Sequence, residues 1–265
     1  MQVALITGVS SGIGRATARK LAQLGYRTFG TVRSEIDPIP NVQLIRLDVR
    51  DSDSVNAGIA TVIEKAERID VLVNNAGVSL VRAAEDTTIE EAREIFETNF
   101  FGLMRITQAV LPVMRKQNSG RIINVSSVLG LVPAPFMALY AASKHAIEGY
   151  SESLDHEVRE HGVRVLLVEP AYTRTSFDAN AVAVDEPLAL YARRRETADV
   201  LIAAAVSAGD EPSIVGDTIV AAATDARPKL RYPAGTLARR VSTLRRYAPS
   251  ALFDKQIRKT NQLAA

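Results

Sequence analysis

The stretch Gly8–Arg15, with the sequence GVSSGIGR, decides which fold this chain of 265 residues can adopt. It follows the apolar run Val3–Ile6, which predicts a buried strand, and it opens a helical pattern that Gly25 can end. Glycines at spacing G-x-x-x-G-x-G permit a sharp turn and a close approach of the backbone to a ligand. The N–H groups at the helix start, with the positive end of its dipole, then face an anion such as a phosphate. Taken alone, the motif also fits a glycine-rich turn without a ligand.

Short apolar runs alternate with helical patterns through the rest of the chain, which is typical of strands buried on both faces of a parallel sheet. The further predicted strands are Tyr26–Arg33, Val42–Leu47, Ile69–Val73, Arg121–Val125, Val163–Val168 and Lys229–Pro233. No linker rich in Pro, Gly or Ser divides the chain, and no internal repeat is evident. We therefore predict an α/β fold: a single doubly wound, Rossmann-type domain over residues 1–265, with helices on both faces of a parallel sheet.

Composition excludes several classes of protein. The chain has no cysteine, which rules out disulfides, thiol nucleophiles and cysteine-ligated zinc and fits a reducing compartment. The three histidines, His145, His156 and His161, follow no metal-site spacing, so we predict no metal. The N-terminus lacks the pattern of a secretory signal, and no run of about 18 apolar residues is present. These features predict a cytoplasmic location.

Two later motifs accompany the glycine-rich turn. Asn74-Asn75-Ala76-Gly77 follows the predicted fourth strand, and Tyr140-Ala141-Ala142-Ser143-Lys144 lies in a long helical pattern. Together with the glycine-rich turn, they closely resemble the three motifs of the short-chain dehydrogenase/reductase family. Asn99 in NFFG, Ser127 in NVSS and Pro170 in EPAYTRT stand where that family has its other markers. The resemblance runs from about residue 1 to residue 175 and implies hydride transfer between a nicotinamide cofactor and a ketone or secondary alcohol.

Residue types at the motif positions support that chemistry. Tyr140 and Lys144 are four residues apart and share one helix face. A tyrosine hydroxyl has a reference pKa of about 10, and a nearby ammonium group favours the phenolate. We therefore predict Tyr140 as proton donor or acceptor, with Ser127 donating a hydrogen bond to the substrate oxygen. The resemblance also gives Asn99 a water that links Lys144 to solvent, although a purely structural role for Asn99 stays open.

The cofactor contacts implied by the resemblance are spread over the first two thirds of the chain. They are Gly8, Ser10, Ser11, Gly12, Ile13, Gly14, Arg33, Asp48, Val49, Asn75, Ala76, Gly77, Tyr140, Lys144, Pro170, Thr173 and Thr175. Asp48 and Val49 resemble the family's adenine contacts. Arg33 ends the second strand, where NAD enzymes of the family usually carry an acidic residue, and its planar fork suits a 2′-phosphate. Unless Arg33 is only a solvated loop charge, the sequence predicts NADP(H) rather than NAD(H).

The chain departs from the family motifs at Ala171 and again in the region after Thr175. Ala171 follows Pro170 where the family usually has glycine, so the loop below the nicotinamide differs. Residues 176–209 resemble a substrate lid, and their apolar side chains favour a lipophilic substrate, although packing of the lid on the body explains the same residues. The first function hypothesis is therefore an NADP(H)-dependent oxidoreductase acting on a lipophilic ketone or secondary alcohol. The alternative is a catalytically silent dinucleotide-binding sensor or scaffold.

The C-terminal part of the chain is strongly basic. From Arg227 onward there are ten basic residues and one acidic residue. The tail resembles the steroid- and retinol-dehydrogenase-like branch of the family. In the basic C-terminal extension, residues 234–265, the four side chains Leu237, Val241, Leu244 and Ala248 share one face of a possible helix. Such a helix could make weak peripheral contact with an anionic membrane; packing of the stripe on the body is the favoured alternative. Scattered aromatic residues argue against a nucleic-acid partner.

The family resemblance also predicts assembly. Family members pair through two long helices, here about Asn99–Gln117 and Met137–His161. The basic tails would repel one another at the second contact that a tetramer needs, so we predict a homodimer.

Overall fold

A computed structural model describes residues 1–175 and 188–263, and its centre is a parallel sheet. The strands are β1 Val3–Ile6, β2 Arg27–Val32, β3 Val42–Arg46, β4 Val71–Asn74, β5 Gly120–Val125, β6 Val163–Pro170 and β7 Arg231–Ala234. They lie side by side in the order β3-β2-β1-β4-β5-β6-β7, and each neighbouring pair is parallel. The chain order reverses between β1 and β4, and this switch point is where ligands bind in such sheets.

Helices cover both faces of the sheet, so the predicted doubly wound α/β fold is confirmed. The α-helices of the described residues are α1 Gly12–Gln23, α2 Ser52–Ala66, α3 Ile89–Phe96, α4 Gly102–Gln117, α5 Ala138–Val158, α6 Ala192–Ser207, α7 Pro212–Thr224, α8 Gly235–Tyr247 and α9 Ser250–Thr260. Alternate residues of β1 divide the core. Val3 and Leu5 pack with residues of α2, α4 and α5, whereas Ala4 and Ile6 pack with residues of α1 and α7.

The strand boundaries differ from the predicted ones by one or two residues, and local hydrogen bonds explain the differences. β4 begins at Val71 rather than Ile69, because the N–H of Ile69 donates to Oε1 of Gln117 at 3.1 Å instead of to a neighbouring strand. β7 begins at Arg231 rather than Lys229, whose N–H donates to the Tyr232 hydroxyl at 2.9 Å. Polar side chains thus replace the strand ladder at these ends.

The predicted lid lies partly outside the described residues, since 176–187 belong to the part that the structure leaves out. The described remainder is a short turn, Ala189–Tyr191, followed by α6. Three contacts tie it to the loop after β4. The N–H of Leu188 and Nη2 of Arg195 reach the buried carboxylate of Asp86 at 3.0 and 2.9 Å, and the Tyr191 hydroxyl donates to Glu85 at 2.6 Å.

The C-terminal extension forms α8 and α9, and the orientation of α8 differs from the favoured expectation. Leu237 and Leu244 are 50% and 54% exposed rather than packed on the body. The small side chain of Ala238 is buried instead, and Nε of Arg245 donates to the carbonyl of Leu131 at 3.0 Å. Val241 and Ala248, the other two members of the stripe, are half-buried, so the stripe is open to solvent at Leu237 and Leu244 and only partly packed on the body. Within the described residues, no helix is both long and apolar enough to cross a bilayer.

The backbone at the start of α1 approaches the end of β1 very closely. A Cβ atom placed on Gly14 would come within 2.2 Å of the Gly8 carbonyl oxygen and 2.5 Å of Nδ2 of Asn75. These neighbours are backbone or are fixed to backbone, so α1 could accept a side chain only by moving away from the sheet.

Gly14→Ala is therefore expected to lower the free energy of unfolding by about 1 to 3 kcal/mol, measured by urea denaturation. Gly149→Ala is the matched control. Gly149 lies in α5, and no atom lies within 4 Å of the position that a Cβ atom would take there. Alanine at this position should be neutral or stabilise the helix by up to about 1 kcal/mol. Equal stability of the two variants would contradict the steric account of Gly14.

Candidate active site

One cavity lies at the carboxyl edge of the sheet, over the switch point between β1 and β4. Every residue predicted to contact the cofactor lines it except Gly14: Gly8, Ser10, Ser11, Gly12, Ile13, Arg33, Asp48, Val49, Asn75, Ala76, Gly77, Tyr140, Lys144, Pro170, Thr173 and Thr175. Ser127 also lines this cavity. Gly14 is buried beneath it and provides the close packing described above. The fold therefore brings residues from the ends of six strands, β1 to β6, and from α5 to a single cleft.

The floor of the cleft is a turn that requires glycine. Gly8 and Gly12 have φ values of +71° and +54°, in the left-handed region that disfavours a Cβ atom. The side-chain amide of Asn75 holds this turn, because its Nδ2 donates to the carbonyls of Thr7 and Gly8 at 2.9 and 3.0 Å. The start of α1 beyond the turn carries no acidic side chain. A cradle of backbone with free helix N–H groups and no opposing carboxylate fits the pyrophosphate of a dinucleotide.

The end of β2 and the loop after β3 form one end of the cavity. Arg33 is exposed there, as expected for a side chain available to a ligand. The carboxylate of Asp48 is held by a residue that we did not predict, Arg50, whose Nη2 lies 2.9 Å from Oδ2. The Arg50 side chain, opposed by burial, holds the pKa of Asp48 below its usual range. If Asp48 contacts adenine, its carboxylate would bind adenine and Arg50 at the same time.

The predicted catalytic side chains meet on the opposite wall. Tyr140 and Lys144 project from one face of α5 and Ser127 follows β5, and all three are almost fully buried. Nζ of Lys144 donates to the carbonyl of Val125 at 3.0 Å and lies 5.6 Å from the centroid of the Tyr140 ring. The Ser127 hydroxyl oxygen accepts a hydrogen bond from the N–H of Leu129 at 3.1 Å, which leaves its proton available to another acceptor.

Burial changes the ionisation of Lys144. Desolvation lowers the pKa of its ammonium group to about 8, and the nearby Glu148 carboxylate counteracts part of this effect. A lysine with this pKa still carries a positive charge near neutral pH, beside the ring of Tyr140. The arrangement can therefore favour loss of the tyrosine proton in one direction and its return in the other.

Asn99 does not line the cavity; it lies behind the catalytic wall. Its Oδ1 accepts from the N–H of Val78 at 2.8 Å, and its Nδ2 donates to the Val78 carbonyl at 3.0 Å and to the Ser143 hydroxyl at 3.2 Å. It sits in a π-helical turn, Glu97–Phe101, between α3 and α4. Such turns often mark functional sites because they leave backbone carbonyls without their usual partners. Both ends of the Asn99 side-chain amide already make hydrogen bonds, so a water at Asn99 would have to bind a backbone group of this turn. The water-binding role of Asn99 stays a prediction.

Sequence reasoning missed the apolar part of the cavity. Its lining also includes Leu129, Met137, Tyr172, Ile202 and Val206. The last two come from α6, within the predicted lid. Tyr172 stands within the quoted EPAYTRT, and Ile202 and Val206 lie within the predicted lid, but none of the five was singled out. The signal that could have found them is their position just after strand ends or along a helix that crosses the cleft. Among the described residues no group of three or more His, Cys, Asp or Glu side chains could hold a metal ion.

Known proteins share this architecture. A family model described as short chain dehydrogenase matches residues 2–185. The chain is 43% identical to a 3-ketodihydrosphingosine reductase of Bacteroides thetaiotaomicron over 179 residues, which is 68% of this chain and 66%, just under two thirds, of that protein. A short-chain dehydrogenase structure from Streptomyces avermitilis aligns over 96% of this chain and 95% of its own, with 34% identity and a TM-score of 0.84.

Two further solved relatives were determined with nucleotides. A short-chain dehydrogenase/reductase from Burkholderia phymatum in complex with NAD is 28% identical, with a TM-score of 0.79 over 87% of this chain and 88% of its own. A short-chain dehydrogenase from Burkholderia cenocepacia in complex with NADP is 26% identical, with a TM-score of 0.75 over 96% of this chain and 99% of its own. Motifs, sheet order, cleft and relatives agree: the chain belongs to the short-chain dehydrogenase/reductase family of oxidoreductases.

Proposed function

We propose that this protein is an NADP(H)-dependent oxidoreductase that interconverts a lipophilic ketone and its secondary alcohol. The observation that carries the proposal is the meeting of Ser127, Tyr140 and Lys144 in the cavity that also contains the glycine-rich cradle. In this proposal residues 1–265 form one dinucleotide-binding domain, with residues 176–209 as its substrate lid. A binding-only sensor or scaffold would have no need for a buried lysine beside a tyrosine in the same cleft.

The bound dinucleotide would supply the hydride for ketone reduction, and the protein would manage the proton. Ser127 would donate a hydrogen bond to the substrate oxygen, which orients the carbonyl and stabilises developing negative charge. Tyr140 would give its hydroxyl proton to that oxygen. Lys144, charged and held on the Val125 carbonyl, would lower the cost of the phenolate that remains. In alcohol oxidation the same groups act in reverse.

The cavity wall supports a lipophilic substrate. Leu129 and Met137 lie near the catalytic side chains, and Ile202 and Val206 of α6 close the cavity from the lid side. Apolar lining around a few polar groups is typical of sites that bind apolar molecules and orient one functional group. The Bacteroides relative is named for a ketone substrate, 3-ketodihydrosphingosine, which agrees with this class. We infer reduction as the direction in the cell, because NADP is normally kept reduced there.

Replacement of Tyr140 by phenylalanine keeps the ring and removes the proton. Turnover of a ketone should fall by a factor on the order of 10² to 10⁴, with little change in NADPH affinity. The measurement is the loss of NADPH absorbance with a panel of ketones, steroids and retinoids. Tyr247→Phe, at a tyrosine that is 73% exposed, is the matched control and should behave as the parent. Near-normal turnover in Tyr140→Phe would exclude the proton-transfer role.

The preference for NADP(H) rests on the basic end of the cavity. Arg33 is exposed at its rim, and Arg50 lies on the neighbouring loop with its guanidinium on Asp48. Two guanidinium groups and one carboxylate leave a net positive charge where the adenosine ribose would lie, and this charge favours a 2′-phosphate over a hydroxyl. NAD(H) is the alternative, and it would be favoured if Arg33 stayed in solvent.

Arg33→Asp is expected to narrow or reverse the preference for NADPH over NADH by about 1.5 to 3 kcal/mol. Fluorescence titration of both nucleotides measures the two affinities. Arg19→Asp makes the same change of charge on the exposed face of α1, outside the cavity, and should leave the ratio nearly unchanged. Equal affinities of the parent for NADPH and NADH would contradict the assignment of Arg33.

We propose a cytoplasmic location, with weak peripheral membrane contact through residues 234–265. The exposed side of α8 supports this contact, since Leu237, Leu244 and Tyr247 are half or more exposed and Arg240 lies among them. Apolar side chains flanked by arginines suit the interface of an anionic bilayer.

We further propose a homodimer through α4 and α5. Phe101, at the start of α4, is 43% exposed, and the neighbouring Phe100 ring packs edge-on against Tyr150 of α5 at 5.8 Å. An exposed aromatic side chain next to this pair gives the two helices an apolar outer face, which suits an isologous contact.

Light scattering coupled to size exclusion should therefore give twice the mass of the chain. Phe101→Glu should shift the mass towards that of a monomer, because two carboxylates would meet at the symmetric contact. Leu252→Glu, at an exposed position on α9, is the control and should stay dimeric. A mass four times that of the chain would contradict the proposal that the basic tails prevent a tetramer.

A further inference from the structure

Two carboxylates are buried next to Lys144, outside the residues assigned to the reaction above. Glu148 lies one turn after Lys144 on α5 and is 6% exposed, and Glu169 lies in β6 and is fully buried. Neither side chain lines the cofactor cavity. Buried carboxylates are rare unless paired, because removal of their charge from water is costly. We call these two residues the carboxylate pair.

Among the residues that the structure describes, one guanidinium forms ion pairs with the carboxylate pair. Nε of Arg231, in β7, lies 3.1 Å from Oε2 of Glu148 and 3.4 Å from Oε1 of Glu169. Its Nη2 contacts a third carboxylate, the half-exposed Glu152, at 3.0 Å. Lys144 is a second buried cation, one turn from Glu148, whereas the ion pair that the described residues form with Glu169 is the long one to Arg231, which also serves Glu148 and Glu152. A negative charge on Glu169 would therefore be poorly compensated.

The hydrogen bonds of the carboxylate pair indicate which member holds the proton if the pair carries one. Within the described residues, neither oxygen of Glu169 has a hydrogen-bond partner, whereas Oε2 of Glu148 accepts from Arg231. A neutral carboxylic acid at Glu169 avoids the cost of an unsolvated charge. Burial, together with the Glu148 carboxylate, raises the pKa of Glu169 to about 8, against the effect of Arg231. Burial also raises the pKa of Glu148, and Ser126 and Arg231 oppose this rise.

We propose that Glu148 and Glu169 are positioning residues: they share one proton, and the single negative charge that remains beside Lys144 keeps its ammonium group charged. The role at Lys144 rests on the proposed oxidoreductase function. Burial alone would favour neutral Lys144, and the carboxylate of Glu148 is the anionic group that counteracts it. The other charged groups near the pair, besides Arg231 and Lys144, are His145 and Glu152 on α5, and both of these are exposed. The charge that acts on Lys144 is thus the buried one.

The shared proton is tested by the pH dependence of stability, which needs no activity. Glu169 has a folded-state pKa near 8, above an unfolded value of about 4.3. The unfolded chain therefore loses this proton first, and the parent protein loses stability as the pH rises between the two values. Glu169→Gln resembles the neutral acid and has no proton to lose. The melting temperature of Glu169→Gln minus that of the parent should therefore increase by roughly 5 °C between about pH 5 and about pH 8.

Glu152→Gln is the matched control, since Glu152 contacts the same arginine but is half-exposed. Its melting temperature should differ from that of the parent by nearly the same amount at each of these pH values. If the melting temperature of Glu169→Gln also differs from that of the parent by the same amount at each pH, Glu169 is ionised in the folded protein. This result would overturn the shared proton.

The effect on Lys144 is tested by the pH profile of ketone reduction. Glu148→Gln/Glu169→Gln removes the remaining charge, so Lys144 should become neutral at lower pH. The pH above which kcat/KM declines should fall by about one unit. Glu169→Gln alone keeps the Glu148 charge and should retain the parental midpoint. Glu148→Gln alone lets Glu169 ionise beside Arg231 and should give a smaller shift. Glu152→Gln should retain the parental profile.

The possible failures are distinguishable. A parent protein that binds NADPH and reduces no ketone would contradict the proposed function, while the melting experiment would still decide whether the proton is shared. An active, folded double variant with the parental pH midpoint would overturn the effect on Lys144. If the double variant does not fold, identical midpoints for Glu148→Gln and the parent would overturn it as well.

Discussion

The side-chain amide of Asn75 makes the contact on which the cleft depends. Its Nδ2 holds the carbonyls of Thr7 and Gly8, and the Thr7 hydroxyl oxygen accepts from the N–H groups of Asn75 and Ala76 at 2.9 and 3.0 Å. These bonds join the ends of β1 and β4, from which the chain departs to opposite faces of the sheet. Because the polar groups at the two strand ends satisfy each other, the cleft between them stays open without a buried unpaired carbonyl. Gly14 lets α1 begin directly above this contact.

A second set of buried amides fixes the helix that carries the catalytic side chains. Asn74 donates to Oδ1 of Asn124 on the next strand at 2.9 Å, and Asn124 donates to the Ser151 hydroxyl of α5 at 2.8 Å. A buried chain of hydrogen bonds has one favourable arrangement and therefore fixes the register of α5 against the sheet. Tyr140 and Lys144 lie on the same helix, so this register also fixes their position against the sheet. The geometry of the proposed reaction is thus set by polar contacts far from the substrate.

Local pattern was enough to predict the fold, because continuous apolar runs and glycine turns report burial and backbone conformation directly. The family resemblance, rather than local pattern, predicted which residues gather in the cleft, and the strand order brings all of them except Asn99 and Gly14 to its lining. Contacts between distant segments were not predictable. Arg50 was missed although it stands two residues after Asp48, and nothing in a single sequence shows that Glu148, Glu169 and Arg231 meet. The exposure of Leu237 and Leu244 on α8 was not predicted, because helical periodicity gives a stripe but not the direction in which it faces.

The alternation of β6 connects the cleft to the buried charges. Successive residues of a strand point to opposite faces, so Pro170 lines the cavity while Glu169 points towards α5 and Arg231. Arg231 lies in β7, beyond the residues 2–185 that match the family model. The edge strand at the far side of the sheet therefore places a charge beside the helix that carries Tyr140 and Lys144. If the proposed role of the carboxylate pair holds, a change at Arg231 would alter the ionisation of Lys144 without touching the cleft, because the carboxylates between them carry the electrostatic effect in a medium that screens it poorly.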